Sequence, residues 1–419
     1  MKTLIRLAVK SAYARRASLV LAILSVAISV TLLLGVDMIR KQAKASFLNT
    51  ISQTDLIVGA RSGPINLLLY SVFRIGNATN NISYGILRDL ESDKRVKWAI
   101  PLSLGDSHKS FRVLGTNQNY FDFFRYAQNK PLDMEKGRAF HDLYDAVIGS
   151  EVAKSLGYEL NDSIVLSHGT ISTDFSDHDD KPFTISGILA PTGTPVDRSV
   201  HVSLEALEAI HVDWRDGARS RLQITAEQAR KFGLKPKAIT AIMLGLHKRV
   251  QTFAVQRDVN DNQRESLLAI IPGSTLADLW RTLGQFEKIL LAVSVLVIVA
   301  GLMGVLTMLL STLNERRREM AVLRTLGAHA YQIILLFILE TLFIVLLGCI
   351  IAIMFLCILM LVLQPVLLNL YGFMIELRWL DYQQMLLLAI VLFTSVCFSL
   401  IPGFIAYKRS LQDGLTVKL

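Results

Sequence analysis

Four long stretches of uninterrupted apolar residues set the pattern of this chain. Ala17–Val36 lies between Arg16 and Asp37 without a charge, and Ile289–Asn314 has none between Lys288 and Glu315. The stretch from Ile333 to Leu363 carries one, Glu340, and Met385–Tyr407 has none before Lys408. A helix needs about 20 consecutive apolar residues to cross a bilayer core, so each stretch predicts a spanning helix. The first is longer than a signal-peptide core of about 7–15 residues and no small-x-small cleavage site follows it, so it reads as a retained span.

Between the first two spans the pattern changes to short alternating runs broken by turn residues. Trp98–Leu102, Phe111–Gly115, Asp145–Gly149, Asp162–Leu166, Phe183–Leu189 and Ile239–Leu244 predict strands. Val58–Ala60 with Arg61–Pro64 predicts a turn. Ser150 and Ser203 are placed to cap helices over Glu151–Leu156, closed by Gly157, and Leu204–Ile210. Val250–Ala269 has helical spacing, and Pro272–Thr275 reads as a turn in which Ser274 or Thr275 caps the helix entering the second span. Ile39–Asn49 continues the first span outward as a stalk.

The predicted fold is therefore a membrane protein of four transmembrane α-helices, with a large α+β extracytoplasmic domain between helices 1 and 2. Residues 1–16 are an amphipathic cytoplasmic segment, 17–38 the first span, 39–286 the extracytoplasmic domain with its stalk, and 287–313 the second span. Then follow a cytoplasmic loop at 314–332, the third span at 333–363, an outer loop at 364–384, the fourth span at 385–407 and a cytoplasmic tail at 408–419.

Charge fixes the orientation, because cytoplasmic loops are enriched in lysine and arginine. Lys2, Arg6, Lys10, Arg15 and Arg16 precede the first span, and Lys408, Arg409 and Lys418 follow the last, which puts both termini inside. The net charge of +9 is thus concentrated beside membrane ends, as expected for a protein among membrane lipids rather than a nucleic-acid binder. The three cysteines, Cys349, Cys357 and Cys397, all fall in predicted spans and read as small packing residues, leaving no disulfide framework outside.

The segment Asn314–Ala328, NERRREMAVLRTLGA, is the most charged stretch beside a span. It predicts a short helix at the inner membrane surface, stopped by Gly327, with Met320, Leu323 and Leu326 as its apolar stripe. Glu315 and Glu319 near its start and Arg324 near its end suit the helix dipole. Such a helix is suited to touching a cytoplasmic partner. A phosphate-cradling loop requires G-x-x-x-x-G-K-[ST], and Gly-Lys never occurs here, so the chain itself is not expected to hydrolyse ATP. Glu340 is an intramembrane carboxylate and a candidate site by that fact alone, with a structural partnership to the charged loop preferred over a substrate or proton role. Asp177, His178, Asp179 and Asp180 surround one imidazole with carboxylates but lack the several well-placed ligands a zinc site needs, so no metal is expected. Pro191–Arg198, PTGTPVDR, reads equally as a contact loop or hinge and as a plain connection.

Three motifs resemble those of the FtsX-like, MacB-type ABC transporter permease family, the type VII class whose lipoprotein-release members have the same order of spans. Asn314–Ala328, continued by Tyr331-Gln332-Ile333, resembles the family loop E-R-R-R-E-I-x-x-L-R-x-L-G-A-x-x-x-Q-I. Asp145–Leu166 resembles a strand and short helix followed by G-x-x-x-G-D-x-I, with Asn161 in place of the second glycine. Ile401–Ser410 resembles I-P-A-x-x-A-x-R, with Gly403 where alanine is usual.

The resemblance implies a permease subunit of the bacterial inner membrane that passes ATP-driven motion to its outer domain for export or extraction of a substrate. It implies two copies of a separate cytoplasmic ATPase holding ATP and Mg, no cofactor on this chain, and a second permease chain in a homo- or heterodimer. A periplasmic or outer-membrane partner is a further expectation. Glu315, Arg316, Arg317, Arg318, Glu319, Met320, Leu323, Arg324 and Gly327 would form the ATPase-coupling helix. The alternative role is a transmembrane scaffold that controls a periplasmic partner such as a cell-wall hydrolase. A conventional substrate path would need several intramembrane polar groups, and the spans offer little beyond Glu340.

Overall fold

The computed structural model describes residues 16–127, 129–168, 180–212, 214–215, 218–219, 225–313, 329–371 and 380–413. The chain divides into two compact units, one drawn from Met1–Gln42, Gly284–Pro365 and Ile375–Leu419, the other from Ala43–Leu283 and Val366–Met374.

The first unit is helical. Helices α1 (Arg16–Asn49), α2 (Pro272–Thr312), α3 (Ala330–Tyr371) and α4 (Tyr382–Asp413) are each long and apolar enough to cross a membrane. The stalk expected over Ile39–Asn49 is an unbroken continuation of α1. The start of α2 differs from the sequence expectation. The helix begins at Pro272, and the Ser274 hydroxyl donates to the Ile271 carbonyl (3.1 Å) instead of capping. Proline suits the first helical position because its missing N–H would have no partner there.

The second unit is built on a mixed sheet. Its principal strands are β1 (Leu56–Ala60), β2 (Val96–His108), β3 (Phe111–Thr116), β4 (Met134–Gly137) and β5 (Asp145–Ile148), then β6 (Phe183–Leu189), β7 (Ser199–Ser203), β8 (Ala241–Leu246) and β9 (Leu267–Ile270). They lie in the order β9-β1-β8-β2-β3-β7-β5-β6-β4, with β3–β7 and β5–β6 parallel and the other neighbours antiparallel. Strand β2 runs for 13 residues. It pairs with β8 from Val96 to Leu102 and with β3 from Ser103 to His108, and the register shifts between Leu104 and Ser107. One strand therefore belongs to two lobes. The entry and exit strands β1 and β9 are neighbours, with Ile57 opposite Ile270.

Every residue of β1, LIVGA, is buried, because helices cover both faces of its lobe. Leu56 and Val58 face a core with Ile86, Leu87, Val255 and Val259 from the helices Tyr84–Glu91 and Thr252–Asn260. Ile57 faces Leu67, Leu68 and Tyr70 of the helix Pro64–Val72. That helix comes so close that a Cβ on Gly59 would lie 2.6 Å from Leu67 Cδ1. A strand buried on both sides reads as a continuous apolar run rather than an alternation. The second lobe packs Val152, Phe183, Ile185, Val200, Val202 and Ile210 together.

Phe183–Leu189 forms over the expected residues, and the Ser203 hydroxyl accepts from the Ala206 amide (3.0 Å) as a true cap. Gly149, not Ser150, precedes the helix Ser150–Leu156, which ends at a left-handed Gly157 (φ 69°). Asp162–Leu166 shrinks to the two-residue strand Ser163–Ile164, and a further two-residue strand, Ser167–His168, follows it. Val58–Ala60 is strand, so the turn is confined to the residues after Ala60. Val250–Ala269 is not one helix. The helix Thr252–Asn260 gives way to β9, because Asn262 Oδ1 accepts from the Arg264 and Glu265 amides while Asn260 Oδ1 accepts from the Ala269 amide (2.7 Å). Asparagine side chains that bond the backbone locally compete with helix. Thr240 interrupts Ile239–Leu244 and inserts its hydroxyl under the Leu104 amide (3.0 Å).

Candidate functional site

The residues expected to couple to an ATPase, Glu315, Arg316, Arg317, Arg318, Glu319, Met320, Leu323, Arg324 and Gly327, lie outside the described residues, as do residues 1–15 and 169–179, which include Asp177, His178 and Asp179; Asp180 is described and accepts from Lys181 Nζ (3.1 Å). The flanks of the loop are described. Helix α2 ends at Thr312, and α3 opens with the His329 amide donating to Gln332 Oε1 (2.9 Å). Glu340 is buried within α3, at 8% exposure. Among the described residues no group of three or more His, Cys, Asp or Glu side chains is placed to hold a metal.

What the structure brings together is the joint between the spanning helices. Apolar side chains gain little from packing in lipid, so membrane helices approach through small residues and shared hydrogen bonds. Here α1 meets α2 at Ser25 and Ser29. The Ser29 hydroxyl lies within hydrogen-bonding distance of its own-helix Ser25 carbonyl (2.8 Å) and of the Val297 carbonyl on α2 (3.1 Å). A Cβ on Gly301 would sit 2.5 Å from Ser29 Oγ, and one on Gly304 would be 3.6 Å from Ser25 Oγ. On another side of α1, a Cβ on Gly348 of α3 would lie 2.7 Å from Val26 Cγ1 and 3.3 Å from the Ile23 carbonyl oxygen. Helix α3 meets α4 at Gly403, where an added Cβ would touch Ile334 Cγ2 at 3.3 Å. Cys349 is buried, whereas Cys357 and Cys397 are exposed and do not pack inside this joint.

A second cluster ties together the C-terminal part of α1, α2 near Glu287 and the start of α4. Asp37 of α1 accepts from Arg40 (2.8 Å) and from Lys41 (2.9 Å), and Lys41 Nζ also reaches Asp381 at 2.6 Å. Arg40 lies 3.7 Å from Glu287 of α2. Gln384 of α4 donates its side-chain amide to Asp37 (3.2 Å). Its backbone amide donates to Asp381 Oδ1 (2.9 Å) while its Oε1 accepts from the Asp381 amide (3.2 Å), a reciprocal cap that starts α4. The Lys41 ammonium and the Gln384 amide hold the Asp381 carboxyl below its ordinary range. The sequence signals for this cluster were the charges directly after the first apolar stretch and the D-x-x-Q pattern before the last.

In the sheet unit, the loop Pro191–Arg198 closes on itself. The buried Asp197 carboxylate accepts from the Thr192 amide (2.8 Å), the Thr192 hydroxyl (2.8 Å) and the Gly193 amide (2.7 Å). Burial raises the Asp197 pKa against the pull of those donors. Asn161, which replaces a glycine of the domain motif, has φ 70°. Asparagine is among the few residues that adopt the left-handed conformation readily, so the departure preserves the backbone.

Comparison with protein families accounts for both units. Residues 19–261 match the MacB-like periplasmic core domain, and residues 291–412 match the FtsX-like permease C-terminal domain. This chain belongs to the MacB/FtsX-like permease family. It is a multi-pass membrane protein of the ABC permease type, whose sheet unit is the MacB-like domain inserted between α1 and the other three helices. The extracellular domain of the noncanonic ABC-type transporter YknZ from Gram-positive bacteria is similar at 14% identity, over 51% of this chain and 98% of that one, with a TM-score of 0.31. No curated protein matches the chain.

Proposed function

We propose that this permease transmits the motion of a separate cytoplasmic ATPase to its MacB-like domain, which uses it to export or extract a substrate. The observation that carries this reading is the length of the two helices that flank the domain. At 1.5 Å per residue, α1 (34 residues) is about 50 Å long and α2 (41 residues) about 60 Å. An apolar bilayer core takes only about 30 Å. Both helices therefore carry regular structure beyond the membrane into the sequence of the domain. The Ser29–Gly301 and Val26–Gly348 contacts support the reading, since they couple α1 to α2 and α3 without a polar substrate path.

In this mechanism both termini and the loop 314–328 face the cytoplasm. Arg316, Arg317, Arg318 and Arg324 contact acidic or polar groups on the ATPase, while Met320 and Leu323 fill its groove. Two permease chains and two ATPases make the working assembly, with ATP and Mg bound by the ATPases. Glu340, buried in α3, partners the coupling segment. The test is affinity capture of the tagged permease from its native membranes. Arg317→Glu with Arg318→Glu should abolish recovery of the ATPase and leave the permease in the membrane. Undiminished recovery would sink the coupling role of this loop.

A further inference from the structure

The sheet unit contains a cavity of about 300 Å³ that the transmission role does not use. It is lined by Arg74, Arg112, Asn77, Asn81, Tyr70 and Leu104, together with small residues of the loop after the helix Pro64–Val72. Both charged lining residues are arginines, and no ion pair joins a carboxylate to either among the described residues. Asn81 accepts from Thr240 through its amide oxygen (3.3 Å), so its N–H groups remain as donors. Arg112 spends one N–H on the Gly76 carbonyl (3.3 Å).

Arg74 is the unusual member. The Ile75 amide folds back to the Leu69 carbonyl (3.1 Å), which closes the helix and leaves Arg74 at φ 59°. A non-glycine residue pays about 1–2 kcal/mol for that conformation. Its side chain turns inward, donates to the Ser71 carbonyl, and carries a buried Nε with no hydrogen-bond partner. Its electrostatic neighbours are Tyr120 and His201, both fully buried, with ring centroids 5.2 Å apart. His201 Nε2 is likewise buried without a hydrogen-bond partner, while the buried Tyr120 hydroxyl lies close enough to the Arg74 guanidinium to interact with it. Arg74 is half-buried, and a guanidinium drawn even partly out of water is commonly met by a carboxylate that offsets its desolvation. Here a strained backbone position holds a guanidinium at a cavity whose other charge is also positive and whose remaining polar groups can donate. The left-handed turn itself is how the helix ends, so what points to a ligand is the gathering of two guanidiniums and two side-chain amides at one cavity with no carboxylate ion-paired to either arginine among the described residues.

We infer that this cavity binds a phosphate-bearing ligand, with Arg74 and Arg112 as its charged donors and Asn77 and Asn81 as its neutral ones. Guanidinium forks match the paired oxygens of a phosphate group, and the volume leaves room for a small substituent such as glycerol beside Leu104. The shared chemistry is a phosphate ester, which can be a free metabolite or the headgroup of a lipid.

The experiment uses the full-length protein in a neutral detergent, titrated with sn-glycerol 3-phosphate, with inorganic phosphate, and with short-chain phosphatidylglycerol below its micelle concentration. Saturable binding that weakens at least roughly tenfold in both Arg74→Gln and Arg112→Gln is expected, the loss anticipated for one charge-assisted contact. Binding of glycerol 3-phosphate assigns a free phosphate ester. Binding of phosphatidylglycerol alone assigns a headgroup. Should Arg74→Gln fail to fold, Arg112→Gln carries the test, since Arg112 is partly exposed. No saturable binding of any of the three probes overturns the inference. Binding that Arg112→Gln leaves unchanged overturns it as well.

Discussion

Ser29 and Gly301 meet across α1 and α2 with no room for a methyl group between them: a Cβ on the glycine would be 2.5 Å from the serine oxygen. The same serine hydroxyl reaches the Val297 carbonyl of α2 (3.1 Å). Gly301→Val should therefore push the helices apart and lower thermal stability in detergent by about 1–3 kcal/mol, the usual cost of overpacking. Ser29→Ala in the same chain should recover part of the loss. A double variant no better than the single would show that this contact does not set the helix separation.

Two other glycines rank by the same reasoning. Gly348 faces the branched Val26 at 2.7 Å and the Ile23 carbonyl at 3.3 Å, whereas Gly403 faces Ile334 at 3.3 Å. Gly348→Ala should cost clearly more melting temperature than Gly403→Ala. A smaller loss at Gly348 would contradict the packing of α1 on α3.

The Lys41–Asp381 pair has a different signature. Its charges are partly solvated, so the pair is worth at most about 1 kcal/mol and should weaken with salt. Lys41→Met and Asp381→Asn should each lower stability slightly at low salt, and the double variant should lose less than the sum. The sign with pH follows from the depressed Asp381 carboxyl. Its contribution is present above the ordinary carboxylate pKa and is lost as pH falls through the lower folded value. A melting-temperature cycle measured at two salt concentrations checks both statements, and additive losses would count against the pair.

His201 predicts acid sensitivity. Complete burial and the neighbouring Arg74 hold its imidazole neutral, with a pKa near 3, while Nδ1 faces the Val147 carbonyl at 3.2 Å. Tyr120 and Phe121 close the rest of its surroundings. The unfolded chain takes up the proton near pH 6.5 and the folded chain does not. Stability must therefore fall as pH drops from about 6.5 toward 3, by up to about 1.4 kcal/mol per unit. His201→Gln should flatten that part of the stability profile relative to the parent protein. Parallel profiles for the two would rule out His201 as the cause.

At Asn161 the test is conformational. With φ 70°, Asn161→Gly should be neutral or mildly stabilising and Asn161→Val destabilising by about 1–2 kcal/mol. Chemical denaturation of the full-length protein reads the difference, and a tolerated valine would refute the left-handed assignment.

The spans were legible because about 20 apolar residues leave few alternatives to a membrane helix. Phe183–Leu189 and the Ser203 cap were legible because strand period and capping chemistry are local. The same locality misled at Val250–Ala269, where polar residues at helical spacing concealed the Asn260 and Asn262 bonds that turn the chain into β9. The Ser25–Ser29–Gly301 joint could not be read, since glycines and serines in an apolar run give no sign of which helix they face. Arg74 was equally silent in sequence, and only the fold sets it beside Tyr120 and His201.

The pairing of Ile57 with Ile270 decides where the proposed motion would first meet the MacB-like domain. Strand β1 follows α1 in the chain and β9 precedes α2, and the two strands are hydrogen-bonded neighbours. Both connections to the helices therefore arrive at the same end of one short antiparallel ladder. The second lobe is joined to that ladder through β8 and then β2, whose pairing with β3 breaks register between Leu104 and Ser107, so the two lobes share one continuous strand but not one continuous register.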